Sequence, residues 1–88
     1  MKIKDTFVLR KVAESWVVLP LGQSSLDFNG MLTLNNSAAF LWGVLEQGST
    51  REGLVDALMA EYEVDQERAS ADVDAFLDVL SQVDCLED

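Results

Sequence analysis

Apolar residues follow a period of two in the first third of the chain and a period near 3.6 in the rest, so a sheet is expected to precede a set of helices. Residues 7–12 and 16–21 are rich in β-branched and aromatic side chains and are separated by the short polar link Ala13-Glu14-Ser15, which predicts an antiparallel hairpin. Pro20, the only proline, falls near the end of the second run, where a missing ladder donor matters least. Gly22-Gln23-Ser24-Ser25 reads as a turn, residues 26–28 as a short strand, and Asn29-Gly30 as a tight turn, because asparagine and glycine tolerate positive φ best. The turn leads into a third main strand, Met31, Leu32, Thr33 and Leu34.

From Asn36 onward the spacing becomes helical. Asn35 or Asn36 caps a first helix whose stripe is Ala38, Leu41, Trp42 and Leu45, widened by Phe40 and Val44 and ended by Gly48. Ser49 and Glu52 have capping-box spacing and are expected to open a second helix, with Leu54, Val55, Leu58, Met59 and Tyr62 on its apolar side. Asp65 is the expected cap of a third, which is the longest and most acidic. Its stripe is Ala69, Val73, Phe76, Leu77, Leu80 and Val83. Ala75 and Val79 fall outside that arc and widen it on one side, which fits either packing against the sheet or a ligand groove.

The length of 88 residues allows one domain, 1–88, with one modest core, and the 49% of apolar residues is enough to fill it. Sixteen acids against six bases give a net charge of −10, and residues 36–88 hold thirteen of the acids against only Arg51 and Arg68. Nucleic-acid binding needs clustered Lys and Arg, so no nucleic-acid partner is expected; a negative field favours a basic peptide or a basic partner surface. The absence of histidine removes the commonest general base and the commonest metal ligand. The single cysteine, Cys85, cannot form an internal disulfide and reads as a small buried apolar residue. No secretory signal and no apolar run long enough for a membrane helix are present, so a soluble cytoplasmic protein with no membrane partner is expected.

The order ESWVVLPLG, DFNGMLTLNNSAAFLW, STREGLVDALMAEYEV and DVDAFLDVL resembles the PqqD-like family, the precursor-peptide recognition elements of ribosomal peptide modification. The resemblance spans roughly residues 7–86, and its most specific pieces are Leu34-Asn35 with the helix opening at residues 38–42, and Asp72-Val73, Phe76-Leu77 and Leu80. It implies an α+β fold, winged helix-turn-helix-like, with three N-terminal antiparallel strands followed by three helices. It further implies a non-catalytic adaptor, a peptide chaperone that binds the leader segment of a precursor peptide by strand addition and presents it to a modifying enzyme, often a radical S-adenosylmethionine (radical SAM) enzyme.

Carried onto this chain, the resemblance places the receiving edge at Met31, Leu32, Thr33 and Leu34 and the flanking helix positions at Asp72, Ala75, Phe76, Val79 and Val83. The side chains of Leu32, Leu34 and Phe76 are expected in the core, so the strand's role rests on its backbone. Asp72, deep inside a helix, has no capping role and faces either solvent or a ligand, where it would select a basic side chain. Asp27-Phe28-Asn29-Gly30 and the ending Asp84-Cys85-Leu86 depart from members that act in pyrroloquinoline quinone synthesis, which points to another peptide product.

Neither a catalytic residue nor a metal or cofactor site is expected. An acyl carrier protein would need an Asp-Ser-Leu attachment signal, and a winged-helix transcription factor would need a basic recognition helix. The remaining alternative is a protein–protein scaffold of a modification complex that does not itself touch the precursor. An open strand edge can also pair with itself, so a monomer or a weak dimer is expected.

Overall fold

A computed structural model describes residues 1–21 and 32–87. The described strands and helices run β1 (Lys2–Ile3), β2 (Phe7–Val12), β3 (Ser15–Pro20), β4 (Leu32–Leu34), α1 (Asn36–Glu46), α2 (Arg51–Tyr62), α3 (Gln66–Gln82) and β5 (Leu86–Glu87). The main sheet has the order β2-β3-β4, all antiparallel, and three helices follow it, which is the α+β arrangement expected from the change of period. The expected turn at 22–25, strand at 26–28, Asn29-Gly30 turn and Met31 lie outside the described residues.

The hairpin turns on two residues, Ala13 and Glu14, with Ser15 already in the ladder opposite Val12. Its hydrogen-bond phase follows from one bond. The Leu21 amide donates to the Thr6 carbonyl at 2.7 Å, and bonded pairs alternate along an antiparallel ladder. Val8 with Leu19, Arg10 with Val17 and Val12 with Ser15 are therefore the bonded pairs, while Phe7 faces Pro20 in a non-bonded one. Pro20 thus costs β2 no ladder bond.

The same alternation makes Trp16 and Val18 direct their backbone groups toward β4, where they face Leu34 and Leu32. Thr33, opposite Val17, sits in a non-bonded pair. Its N–H and C=O point away from β3, toward the outer border of the sheet. Leu32 and Leu34 share one face of β4, half-buried and buried respectively, and the Thr33 side chain is exposed on the other.

The core joins the inner face of the sheet to all three helices. Val18, Leu41, Trp42, Leu45, Leu54, Leu58, Val73 and Leu80 are its most enclosed members. Each helix buries residues at i, i+3 or i+4 spacing: Leu41, Trp42 and Leu45 in α1; Leu54, Val55 and Leu58 in α2; Ala69, Val73, Phe76 and Leu80 in α3. In α1 it is Ala39, not Ala38, that is buried beside Trp42, and Ala38 is half-buried. Tyr62 ends the α2 stripe at the surface, its ring edge-on to Phe40 at 5.8 Å. Among the described residues, no helix is long and apolar enough to cross a membrane.

Helix boundaries follow side-chain capping. Asn35 accepts from the Ala38 amide at 2.8 Å and Asp65 from the Arg68 amide at 2.8 Å. The expected Ser49–Glu52 box does not form: Thr50 is the cap, its hydroxyl accepts from the Gly53 amide at 3.0 Å, and Gly53 has no side chain to complete a box. The backbone of Ser49 is already committed: its amide donates to the Met1 carbonyl and its carbonyl accepts from the Met1 ammonium, both at 2.9 Å. Gly48, at φ +88°, turns the chain out of α1 as its position suggested.

A second, two-stranded sheet that the periodicity does not reveal pairs β1 with β5 and brings the two ends of the described chain together. Lys4 reinforces it, with its amide on the Cys85 carbonyl and its ammonium on Asp84, both at 2.9 Å. Cys85 itself is fully enclosed, and burial pushes its thiol up to about 11. It is a neutral, packed side chain at physiological pH.

Candidate functional site

β4 passes directly into α1, and the corner between them is fixed from three sides. The Asn35 side-chain oxygen accepts from both the Ala38 amide and the Ser37 hydroxyl at 2.8 and 3.0 Å. The Trp16 indole of β3 donates to the Asn36 side chain at 3.2 Å, and the Tyr62 hydroxyl of α2 donates to the Asn36 carbonyl at 3.4 Å. Strand, first helix and the end of the second are thereby held at one point.

Beside this corner lies an open groove of about 280 Å³. One wall is β4, with Leu32, Thr33 and Leu34; the other is α3, with Asp72, Ala75, Phe76 and Val79. Asn35, Ser37, Ala38 and Leu41, from the start of α1, complete it. The helix wall follows from sequence spacing, since residues at i, i+3, i+4 and i+7 lie on one side of a helix. Phe76 belongs to both the core and the groove, Val79 is half-buried and Ala75 is exposed.

The structure therefore brings together seven of the residues singled out from sequence. Met31 is outside the described residues, and Val83 is not among the groove-lining residues, being half-buried against the core instead. Sequence reasoning missed the cap Asn35 and the three α1 positions Ser37, Ala38 and Leu41 as groove residues. Their signal was available: a helix capped by the residue directly after a strand sets its first turn beside that strand, and Ala38 and Leu41 are one turn apart.

Among the described residues lining the groove, Asp72 is the one that carries a charge, and its side chain is 42% exposed. Arg68, one turn earlier on α3, approaches it at 3.6 Å. Asp74 points elsewhere and takes both ends of a two-pronged contact from the Arg51 guanidinium, at 2.6 and 3.0 Å. That hydrogen-bonded contact holds the Asp74 carboxyl below the usual carboxylate range and ties α2 to α3 behind the groove. Among the described residues, no group of three His, Cys, Asp or Glu side chains could hold a metal ion.

Among the described residues β4 is an edge strand with outward-facing backbone, flanked by a mostly apolar helix wall, a small α+β arrangement of the kind that takes up an extended chain. The chain belongs to the family described as Coenzyme PQQ synthesis protein D (PqqD), whose profile matches residues 15–86. It is also similar to a solved structure described as TbiB1 in complex with the TbiA(beta) leader peptide. The two share 32% sequence identity and a TM-score of 0.76 over 99% of this chain and 95% of that one. No curated protein matches the sequence significantly.

Proposed function

We propose that this chain is a non-catalytic adaptor that binds the leader segment of a ribosomally made precursor peptide and presents it to a modifying enzyme. The leader adds as a strand to the outer border of β4, with Leu32, Thr33 and Leu34 on one side and Asp72, Ala75, Phe76 and Val79 on the other. The observation that carries this reading is the direction of the Thr33 backbone, whose N–H and C=O point into the border beside the groove. Main-chain bonds made there supply affinity for any extended peptide, and the groove chooses among side chains.

Membership of the PqqD family and likeness to a leader-bound relative support the choice of guest. The family resemblance makes a radical SAM enzyme the class of partner to try first, in a cytoplasmic setting. The whole chain acts as one recognition domain, and the reading asks no residue of it to make or break a covalent bond.

The test is a titration of isotope-labelled protein with the leader segment of its precursor. Chemical-shift changes centred on Thr33 and on the α3 positions 72, 75, 76 and 79 are the expected result. Absence of binding at high micromolar peptide, with retained binding of the modifying enzyme, would replace this reading with a scaffold role. Truncating any one groove anchor is expected to cost on the order of 1–4 kcal/mol of binding.

A further inference from the structure

The groove is not uniform along its length, and its two ends differ in what they offer a guest. The Tyr62 hydroxyl touches the Asn36 carbonyl, which places the end of α2, and hence the start of α3, at the Asn35 end of β4. Asp72 therefore lies toward the Asn35 and Ser37 end, and Val79 toward the Leu32 end. The first end presents acceptors, the Asp72 carboxylate and the Ser37 hydroxyl oxygen. At the second, the described side chains Leu32 and Val79 are apolar.

Spacing turns this polarity into a pattern. Asp72 and Phe76 are separated by about 6 Å along the axis of α3, at about 1.5 Å per residue, and an added strand repeats the same face about every 6.8 Å. Consecutive groove-facing side chains of a guest thus meet Asp72 and then the Phe76 region. Asp72 is half-buried, and among the described residues its charged partner is Arg68 of its own helix at 3.6 Å, itself 72% exposed and easily displaced. Asp74 is engaged by Arg51, and Asp78 accepts from the Gln82 amide at 3.1 Å, so neither competes for the guest.

We infer that Asp72 is a specificity-determining residue: the groove selects peptides that place a Lys or Arg two residues from an apolar side chain, the cation at the Asp72 end and the apolar group over Phe76. This rests on the strand-addition reading above and adds to it the charge of the preferred guest. Arg68 occupies the carboxylate when no guest is present and gives it up to the guest's cation.

The test uses short random peptides displayed on phage and panned against the wild-type protein. Selected sequences are resynthesised with Lys, norleucine or Glu at the basic position and titrated against wild type, D72N and D78N. Wild type is expected to favour Lys over norleucine by about threefold to tenfold. D72N should lose that preference while D78N, of equal net charge, keeps it, and Arg68→Ala should enlarge it.

Loss of the preference in D72N and D78N alike, or no preference in peptides whose binding is abolished by Thr33→Pro, would overturn the role of Asp72 and leave strand addition standing. Selected peptides that bind T33P as well as wild type would overturn strand addition itself, and the inference with it.

Discussion

Among the described residues β2 and β4 are the outer strands of the main sheet and both present backbone to their surroundings, yet they differ in length, in charge and in what lies beside them. β2 is six residues long and directs the groups of Leu9 and Lys11 outward, next to the charged side chains of Arg10 and Lys11. Lys11 lies over the Trp16 ring at 5.5 Å, so its charge stays close to the strand. Charge at a border, lysine above all, is a common guard against unwanted pairing. β4 is three residues long, carries no charge and runs beside a groove lined by α3. An open border alone is a liability. It becomes a recognition surface when a pocket for side chains accompanies the exposed main chain.

The largest effect that tests this contrast concerns the pocket. Phe76 is buried and also forms the groove wall, so Phe76→Ala is expected to cost about 3–5 kcal/mol of folding stability, read from urea unfolding. Val79→Ala touches the groove alone and should change stability by less than about 1 kcal/mol while weakening peptide binding several-fold. If V79A leaves binding unchanged, the groove is not what distinguishes β4.

Proline provides the next test because it removes one amide while keeping an extended backbone. Thr33 and Lys11 both occupy non-bonded ladder pairs, so proline at either position deletes an outward N–H and no bond within the sheet. Thr33→Pro should weaken leader binding by about tenfold or more, with a stability loss near 1 kcal/mol. Lys11→Pro should leave binding within about twofold of wild type, since it alters the border that the proposed function leaves out of recognition. Equal losses in calorimetric titrations of the two variants would erase the distinction.

Most of this architecture is legible in the residues themselves. The Phe7–Val12 run, the change of period after Leu34, Gly48 as a helix stop and Asp65 as a cap all act locally, and the structure keeps them. The Ser49 cap fails because its competitor, Met1, lies 48 positions away, and no local pattern reports a contact of that range. The pairing of Lys2 and Ile3 with the last strand escapes notice for the same reason. At the site, the α3 positions are readable from helical spacing, and Val83 illustrates the limit. Its spacing continues the helical face, yet α3 ends at Gln82, and Val83, the cap with non-helical backbone angles, packs against the core. Thr33 carries no compositional signal at all: its importance comes from the phase of the ladder, which only the pairing of Leu21 with Thr6 fixes.

A smaller effect is expected at the corner that positions β4. Asn35→Ala removes the α1 cap and frees the Ser37 hydroxyl, and should lower stability by about 1 kcal/mol. Because the corner aligns β4 with the groove, binding should fall beyond what the stability change explains, whereas Asp65→Ala, an equivalent cap on α3, should affect stability chiefly. Matching losses of binding in the two variants would show that helix stability in general, and not this corner, sets the border's geometry.

The smallest effect concerns the guard on β2. Lys11→Thr removes one of only six basic residues and the cation above Trp16, leaving a flat border whose outward amide remains intact. The variant should show weak, concentration-dependent self-association in sedimentation experiments at raised salt, where repulsion between these acidic molecules is screened. Wild type at the same concentration should associate less. Sedimentation that is identical for the two proteins would assign the silence of the β2 border to geometry instead of charge, and the presence of a groove would then be sufficient to explain why β4 differs from β2.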